Sequence, residues 1–374
     1  MMLTNSDIYS YEDARRLAKK RLPRMIFDYI DGAAGTEHGE HLNRNAIRDI
    51  RLQPRILNNV ETRSIKADLF GDKAGLPFGI SPMGMCNLAR HDADRLLAQF
   101  AAEHHVPVGV STAASTSLED MITYADGHAW FQLYFSGNKE ASFKLIDRAK
   151  ASGYKTLVLT VDVPEVGRRP RELRRGFKMP FKIGIPQFID FALHPEWSLS
   201  TLIKGKPELA NFGGKFGEFD RTSSRAGADW ALLKEIRDRW QGNLVIKGVL
   251  SPIDAVKLKD AGVDAIQVSS HGGRQLDSSP APINALREIR KSVGDDFTLF
   301  FDSGLRSGED IIKAYAYGAD YAFLGRPFSY AIAANGKAGL DQYASLLASD
   351  ISVTLAQLGL TEMSDVNDDI LCKY

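Results

Sequence analysis

The chain has 374 residues, and its 47 Lys and Arg residues balance 47 Asp and Glu residues, so the formal net charge at pH 7 is zero. A protein without an overall positive charge is a poor candidate for binding nucleic acid through many phosphate contacts. Hydrophobic residues make up 44% of the chain and charged residues 25%, which is typical of a globular protein with a large core. We therefore expect no nucleic-acid partner.

Cysteine content and the N-terminal segment favour a cytoplasmic protein. Cys86 and Cys372 are too few for a disulfide framework or a four-thiolate zinc site, which fits a reducing compartment. Charges run through the first twenty residues, so no signal peptide is predicted. The longest apolar stretch, residues 188–203, contains two acidic residues and a histidine, so it is not expected to span a membrane. Contact with a membrane surface remains open.

Eight short apolar runs, rich in β-branched and aromatic residues and bounded by Gly, Pro, Ser or Asp, predict eight β-strands. They start at residues 76, 106, 129, 156, 243, 265, 298 and 321. Segments with helical spacing of apolar residues lie between most of them, and several begin with a Ser or Asp cap and end with Gly. Every interval suits a strand, a helix and two loops, except the longer one between 156 and 243.

The arrangement of these elements predicts an α/β fold of the (β/α)8 TIM barrel class over residues 76–335. The strands are almost continuously apolar, as expected for a parallel sheet covered on both faces. A doubly wound sheet is the alternative, but eight similar units in series favour closure. Residues 1–70 are predicted to form an N-terminal helical cap and residues 336–374 a C-terminal helical segment, all within one domain.

A long insertion, residues 163–229, follows the fourth barrel strand. Residues 163–227 contain twelve Lys or Arg and seven Asp or Glu, and the basic cluster RRPRELRR stands at 168–175. A solvated loop, a functional lid and a surface that meets anionic lipid all remain open.

In a barrel of this kind the chemistry lies at the carboxyl ends of the strands. The predicted ends are rich in polar and small residues, which should therefore meet at one rim. They are Met83, Gly84, Ser111, Thr112, Gln132, Tyr134, Thr160, Asp162, Lys247, Ser269, His271, Arg274, Asp302, Arg306, Gly325 and Arg326.

The last two strands end in DSGLRSG and LGRP, which predict a phosphate site. Glycines allow close approach of the backbone, Arg306 and Arg326 supply charge, and a helix begins just downstream. Tight turns with surface arginines are the alternative. No G-x-G-x-x-G motif follows a strand and no Walker sequence occurs, so a Rossmann or NTPase site is not indicated.

The end of the sixth predicted strand, SSHGGRQLD, carries the residue types of a catalytic base and a carboxylate clamp. His271 suits either a structural or a catalytic role, and Asp162 could orient its imidazole or cap a helix. Arg274 could bind a carboxylate or pair with Asp277. Lys247 needs an anionic partner if it is buried, such as an electron-rich cofactor ring. His38 and His41 lack a third ligand at recognisable spacing, so no metal site is expected.

The segment SSHGGRQLD resembles the FMN-dependent α-hydroxy-acid oxidases and dehydrogenases, whose members include L-lactate dehydrogenase, mandelate dehydrogenase and glycolate oxidase. The resemblance extends over nearly the whole chain in the family's order. Its further segments include RLPRMIFDYIDGAAGTE, NRNAIRDIRLQPRIL, WFQLYF, LVLTVDVP, VIKGV, FFDSGLRSGEDIIKA and LGRPFSYA. At the strand that ends in His271 the family's usual S-N-H-G is S-S-H-G here, which changes a neighbour of the histidine only.

The resemblance implies that the chain binds FMN and oxidises an L-2-hydroxy acid to the 2-oxo acid. His271 would be the base, with Asp162 as its partner and Tyr134 hydrogen-bonded to the substrate hydroxyl. The carboxylate would be bound by Tyr29, Arg169 and Arg274. The implied FMN contacts are Met83, Ser111, Gln132, Thr160, Lys247, Ser269, Asp302, Gly304, Arg306, Gly325 and Arg326. A hydride route and a carbanion route both remain open.

Two small residues predict the size of the substrate. Gly84 and Ala113 stand where the family often has larger side chains, so the space over the flavin should be larger than in glycolate oxidase. We therefore expect lactate or an aromatic acid such as mandelate as substrate.

The runs SPMGMCNLAR and HPEWSL resemble bacterial lactate and mandelate dehydrogenases, in which the insertion helps the protein contact the membrane and electrons pass to quinone. This resemblance favours quinone as acceptor and a peripheral position on the cytoplasmic face of the inner membrane. The alternatives are an oxygen-dependent oxidase that produces hydrogen peroxide and an inactive FMN-binding barrel. The family commonly forms tetramers, so a homotetramer is expected.

Overall fold

The computed structural model of the chain describes residues 7–135, 137–177, 183–212 and 224–372. Eight parallel strands close into a barrel, which confirms the predicted (β/α)8 class. Six strands begin at the predicted residue and two begin two residues later. The barrel strands are β3 (Phe78–Met83), β4 (Val108–Ser111), β5 (Ala129–Tyr134), β6 (Thr156–Thr160), β7 (Asn243–Val249), β8 (Ala265–Val268), β9 (Thr298–Phe301) and β10 (Tyr321–Leu324).

Closure is made by the pairing of β10 with β3, where Ala322 lies beside Phe78 and Leu324 beside Ile80. All eight strands run in the same direction, so their carboxyl ends form one rim. The strand side chains are almost all buried, as the continuous apolar runs predicted.

Eight helices follow the eight strands and cover the outside of the barrel. Side chains of Ser117, Asn138, Asp229, Ser251 and Ser307 cap five of them by accepting a hydrogen bond from the N–H three residues on. These outer helices are α4 (Ala93–His104), α5 (Leu118–Tyr124), α6 (Lys139–Ala151), α10 (Trp230–Arg239), α11 (Pro252–Asp260), α12 (Pro282–Val293), α13 (Gly308–Ala316) and α14 (Arg326–Leu358).

The residues before the barrel form three helices and a small antiparallel sheet, which are α1 (Tyr11–Arg21), α2 (Arg24–Asp31), α3 (His38–Arg48), β1 (Ala67–Leu69) and β2 (Asp72–Ala74). Buried Asp31 ties this region to the barrel. Its carboxylate accepts hydrogen bonds from Arg15 Nε at 2.6 Å, Arg171 Nη1 at 2.8 Å and Tyr330 Oη at 2.7 Å. Burial alone would raise the pKa of Asp31, but Arg15 and Tyr330 hold it well below its ordinary value.

The helix α14 is bent at Asn335 and Gly336, which have non-helical dihedral angles. The division between barrel and C-terminal segment at residues 335 and 336 stays a prediction, since α14 runs across it. Beyond α14 the chain returns to the N-terminal region, where Leu371 pairs with Leu52.

The insertion after β6 contains α7 (Pro170–Arg175), α8 (Ile185–Ala192) and α9 (Pro195–Lys204). The helix α7 packs on α2, whereas α8 and α9 contain no fully buried residue. Residues 178–182 and 213–223 of the insertion lie outside the described residues. Within the described ranges, none of the helices combines the length and the apolar character needed to cross a membrane.

Candidate active site

The rim at the carboxyl ends of the barrel strands surrounds one cavity, and most of the predicted site residues line it. They are Tyr29, Met83, Gly84, Ser111, Tyr134, Arg169, Lys247, His271, Arg274, Asp302, Gly304, Arg306, Gly325 and Arg326. The other five predicted rim residues do not line it but are hydrogen-bonded to residues that do or to one another, and they are Thr112, Gln132, Thr160, Asp162 and Ser269. The barrel therefore brings the whole predicted set together.

His271 lies in a short helical turn just after β8 and is held on both ring nitrogens. Its Nδ1 is 3.1 Å from Asp162 Oδ1, and its Nε2 is 3.2 Å from Tyr134 Oη. Because an ionised carboxylate only accepts, Nδ1 carries the proton in the neutral ring and Nε2 is left as the basic nitrogen. His271 also has a left-handed φ of 56°, an uncommon conformation for a non-glycine residue.

The hydroxyl of Ser303 stabilises this unusual turn. It accepts hydrogen bonds from the backbone N–H groups of Ser270 at 3.2 Å and Gly272 at 3.0 Å. Ser269 Oγ accepts a further bond from the N–H of His271 at 3.0 Å. The orientation of the imidazole is therefore fixed by backbone contacts as well as by Asp162.

The surroundings of His271 keep its ring neutral at neutral pH. Burial lowers the pKa of His271 below its ordinary value, and the nearby carboxylate of Asp162 offsets only part of that effect. Burial raises the pKa of Tyr134, so its hydroxyl stays protonated and can donate to Nε2. A neutral imidazole has the nitrogen lone pair that a general base requires.

Two arginines and a glutamate form a second cluster beside His271. Arg274 donates from Nη2 to Glu172 Oε1 at 2.7 Å, and Arg169 Nη1 is 3.6 Å from the same oxygen. Burial and the charge of Arg274 lower the pKa of Arg169 to about 10, so Arg169 remains charged at neutral pH. One carboxylate thus serves two partly buried cations, and the cluster retains a positive charge that attracts an anion.

The alternative pairing of Arg274 with Asp277 is wrong. Asp277 instead accepts hydrogen bonds from the backbone N–H groups of Thr36 at 2.8 Å and Gly39 at 2.9 Å. Glu172, the actual partner, was not singled out in the sequence. It is the one acidic residue in the basic cluster 168–175, and this position in the sequence could have indicated that it pairs with arginines.

Tyr29 forms one wall of the cavity above this cluster. Its ring stacks on Phe177 with centroids 4.4 Å apart, and the guanidinium of Arg274 lies 5.5 Å from its centre. Its hydroxyl donates to the carbonyl oxygen of Gly84 at 3.2 Å. A methyl group added to Gly84 would lie 3.3 Å from Ala113 Cβ and 3.7 Å from Tyr29 Oη, so the two small residues face each other beside the tyrosine.

The floor of the cavity contains a buried ion pair. Lys247 Nζ is 3.0 Å from Asp302 Oδ2 and donates to Ser269 Oγ at 2.7 Å. Burial alone would raise the pKa of Asp302, but Lys247 holds it below its ordinary value. The anionic partner that a buried Lys247 was expected to need is therefore supplied, at least in part, by the protein.

The far end of the cavity is a cradle for an anion, formed by Gly304, Gly325, Arg306 and Arg326. Within the part of the chain that the structure describes, no side chain caps the N-terminus of α14, where Gly325 and Arg326 line the cavity. The N-terminus of α13 is used differently, because Asp350 accepts from the backbone N–H groups of Gly308 and Glu309. Of the two helices that follow the predicted phosphate motifs, α14 is thus the one that suits an anion.

Two further charged residues of the cavity were not found from the sequence. Glu40 on α3 is 3.2 Å from Arg306 and 3.6 Å from Arg326. Arg225, in the insertion, lies with its guanidinium 5.3 Å from the centre of the Tyr134 ring. No motif in the sequence marks either residue. Within the described ranges no group of three or more His, Cys, Asp or Glu could hold a metal ion.

Comparison with known proteins identifies relatives along the whole chain. The profile of the FMN-dependent dehydrogenase family matches residues 18–373. The chain is 36% identical to (S)-mandelate dehydrogenase of Pseudomonas putida, over 98% of this chain and 94% of the relative. It is also 36% identical to L-lactate dehydrogenase of Pseudomonas syringae pv. syringae (strain B728a), over 98% and 99% of the two chains.

Solved structures give the same result. A crystal structure described as that of the monotopic membrane protein (S)-mandelate dehydrogenase superposes with a TM-score of 0.94 at 36% identity, covering 98% of this chain and all of the other. A crystal structure of mandelate oxidase superposes with a TM-score of 0.84 at 32% identity, covering 96% and 97% of the two chains.

The site geometry predicts how the imidazole of His271 titrates. Its pKa should lie below the ordinary 6.5, and Asp162→Asn should lower it further because the carboxylate favours the charged ring. Histidine-selective NMR, with the resonance assigned from the spectrum of His271→Gln, measures this shift. Asp260→Asn, at the exposed end of α11, is the matched control and should leave the titration unchanged. A rise in the pKa on Asp162→Asn would contradict the assignment of the pair.

Proposed function

Because the chain belongs to the family of FMN-dependent dehydrogenases, we propose that it oxidises an L-2-hydroxy acid to the 2-oxo acid with the help of bound FMN. The observation that carries the proposal is the position of His271, whose basic nitrogen lies beside Tyr134 and next to the cationic cluster of Arg169 and Arg274. A base beside a carboxylate site suits a substrate that carries a hydroxyl and a carboxylate on adjacent carbons.

The described residues fit FMN. The side-chain oxygen of Gln132 is buried and accepts no hydrogen bond within the described part of the chain, so a ring N–H can satisfy it. Lys247 supplies a buried cation, which suits a ring that gains negative charge on reduction. Arg306, Arg326 and the uncapped start of α14 suit a phosphate. When bound, FMN supplies the acceptor for the two electrons that leave the substrate.

We assign FMN binding to eleven residues, and binding studies of their variants would test this assignment. They are Met83, Ser111, Gln132, Thr160, Lys247, Ser269, Asp302, Gly304, Arg306, Gly325 and Arg326. The substrate residues are Tyr29, Gly84, Arg169 and Arg274.

The arginine cluster binds and orients the substrate. Arg274 is fixed by Glu172 and by the carbonyl oxygens of Tyr29 at 2.9 Å and Gly32 at 2.6 Å. Arg169 donates to Gln275 Oε1 at 3.1 Å. Because these contacts hold both guanidinium groups before the substrate arrives, little side-chain entropy is lost on binding its carboxylate.

His271 then moves the proton. Its Nε2 takes the proton of the substrate hydroxyl, Tyr134 hydrogen-bonds the hydroxyl oxygen, and the carboxylate of Asp162 stabilises the imidazolium that forms. A carbanion route, in which the same nitrogen takes the α proton, uses the same residues. The intact set of base, partner and arginines argues against a catalytically idle FMN-binding barrel.

Replacement of the base tests the proposed function. His271→Asn should slow the anaerobic reduction of bound flavin by a 2-hydroxy acid at least about a hundredfold, since general-base catalysis contributes that much or more. Stopped-flow absorbance measures the rate, and the flavin content of the purified variant should stay near that of the wild type. His128→Asn, at the opposite end of the barrel, is the control and should reduce normally. Reduction of the His271→Asn flavin at a near wild-type rate would refute the assignment.

The space beside Tyr29 supports a substrate larger than glycolate, with lactate or an aromatic acid such as mandelate as the leading classes. Gly84 and Ala113 leave room there that a larger side chain would occupy. The relatives named for mandelate and lactate are consistent with this substrate range.

Filling that space should change the preference among substrates. Gly84→Ala should lower kcat/KM for mandelate relative to lactate by about tenfold, because one methyl group in a substrate pocket is worth on the order of 1 kcal/mol or more. Steady-state kinetics with glycolate, lactate and mandelate measure the ratio. If the wild type turned over glycolate as fast as the larger acids or faster, the proposed preference for a larger substrate would be wrong.

The insertion supports a peripheral membrane position. The segment that contains α8 and α9 carries apolar side chains that are more than half exposed, which are Ile185, Phe188, Ile189, Leu193, Leu199, Leu202 and Ile203. Large exposed apolar patches are uncommon on soluble monomers. The pair is anchored to the barrel, because Trp197 Nε1 donates to the carbonyl oxygen of Leu88 at 2.8 Å. The relative described as a monotopic membrane protein is consistent with this role.

We propose quinone as electron acceptor, since a protein that lies on a membrane meets an acceptor dissolved in that membrane. Oxygen is the alternative, and the homotetramer expected from the family remains a prediction.

Membrane contact through α8 and α9 can be tested with charged substitutions. The double variant Phe188→Glu/Leu202→Glu should bind vesicles containing phosphatidylglycerol at least about tenfold more weakly, because two exposed apolar side chains that would enter the membrane are lost and two negative charges are added. Co-sedimentation measures the binding. The control Ile253→Glu/Val353→Glu changes exposed side chains on α11 and α14 and should bind like the wild type. Equal loss in both variants would contradict the proposed surface.

A further inference from the structure

A carboxylate lies within the anion cradle itself. Glu40 on α3 lines the cavity, and its side chain is only 13% exposed. Its Oε1 lies 3.2 Å from Arg306 Nη2 and 3.6 Å from Arg326 Nη1. The two arginines assigned to a phosphate thus already share a negative partner from the protein.

The charges show what this arrangement does to a bound phosphate. Burial alone would raise the pKa of Glu40, but Arg326 and Arg306 hold it below its ordinary value, so the carboxylate is ionised at neutral pH. A phosphate monoester carries close to two negative charges at that pH. Glu40 and a phosphate in the cradle would compete for the same guanidinium groups and repel each other across them.

We propose that Glu40 limits the affinity of this protein for FMN by competing with the phosphate for Arg306 and Arg326. The inference rests on the assignment of the phosphate cradle made under the proposed function. Neither motif nor resemblance marks Glu40, and its effect on phosphate binding is opposite in sign to that of the cradle arginines.

The contacts around Glu40 explain why the arginines do not depend on it. Arg306 also donates to the carbonyl oxygen of Leu305 at 2.7 Å and lies 4.7 Å from the centre of the Tyr11 ring. Arg326 also donates to the carbonyl oxygen of Gly272. The cradle arginines therefore keep their positions when the carboxylate is removed.

Glu40 itself already contacts a further cation. Arg44, one helical turn further along α3, contacts it through Nε at 3.0 Å and is more exposed to solvent. A phosphate that takes over the cradle arginines leaves Glu40 paired with Arg44. The carboxylate therefore acts as a competitor and not as a block.

The test compares two flavins on the same apoprotein. After FMN is removed, flavin fluorescence quenching gives the Kd of FMN and of riboflavin, which lacks the phosphate, for the wild type and for Glu40→Gln. We expect Glu40→Gln to bind FMN about tenfold more tightly, because one like charge is removed from the buried cradle, and to bind riboflavin unchanged. Glu309→Gln removes a mostly exposed carboxylate on α13 and should change neither Kd.

The opposite results would overturn the inference. An FMN Kd that is unchanged or raised in Glu40→Gln would mean that the carboxylate organises the arginines, and equal tightening of both flavins would mean that the effect does not act on the phosphate. Glu40→Leu, whose side chain is uncharged and of similar size, provides a second comparison of the two Kd values. Thermal unfolding of each apoprotein checks that the variants fold.

A separate variant tests the assignment on which the inference depends. Arg326→Gln should weaken FMN while leaving riboflavin unchanged. Equal weakening of both flavins would refute the cradle, and with it the competition by Glu40. If only the competition by Glu40 were wrong, Arg326→Gln would still weaken the binding of FMN and leave that of riboflavin unchanged.

Discussion

The pairing of β10 with β3 is the contact on which the site depends, because it closes the parallel sheet and brings the carboxyl ends of all eight strands to one rim. His271 is 109 residues from Asp162 and 137 residues from Tyr134 in the chain, yet it contacts both. The parallel pairing from β5 through β8 places the carboxyl ends of these strands side by side, and closure of the barrel curves them around a common centre. The geometry of the base is therefore a property of the barrel and not of any one loop.

Within that rim, the buried charges occur in paired groups. Lys247 faces Asp302 at the floor, and Glu172 faces two arginines near His271. Such pairing limits the cost of burying charge, while the arginine-rich groups retain the positive charge that an anionic ligand needs. The zero net charge of the chain hides this local pattern. It is compatible with a site for two anions, a phosphate and a carboxylate.

The sequence predicted the framework well because strands, caps and turn glycines depend on local pattern. Six strand starts were predicted to the residue, and the residues at the strand ends meet at one cavity. Glu172, Glu40 and the use of Asp350 at the start of α13 were not predicted. Each depends on which side chains meet across elements far apart in the chain, and no spacing rule reports such a contact.

The central claim is that FMN bound at this rim oxidises a 2-hydroxy acid. Its most direct test is anaerobic bleaching of the flavin of the wild-type protein by the separate L and D enantiomers of lactate and mandelate, followed by reoxidation with oxygen or with a soluble quinone. We expect rapid bleaching by the L enantiomer of at least one acid and faster reoxidation by quinone than by oxygen. A flavin that none of these acids bleaches would contradict it.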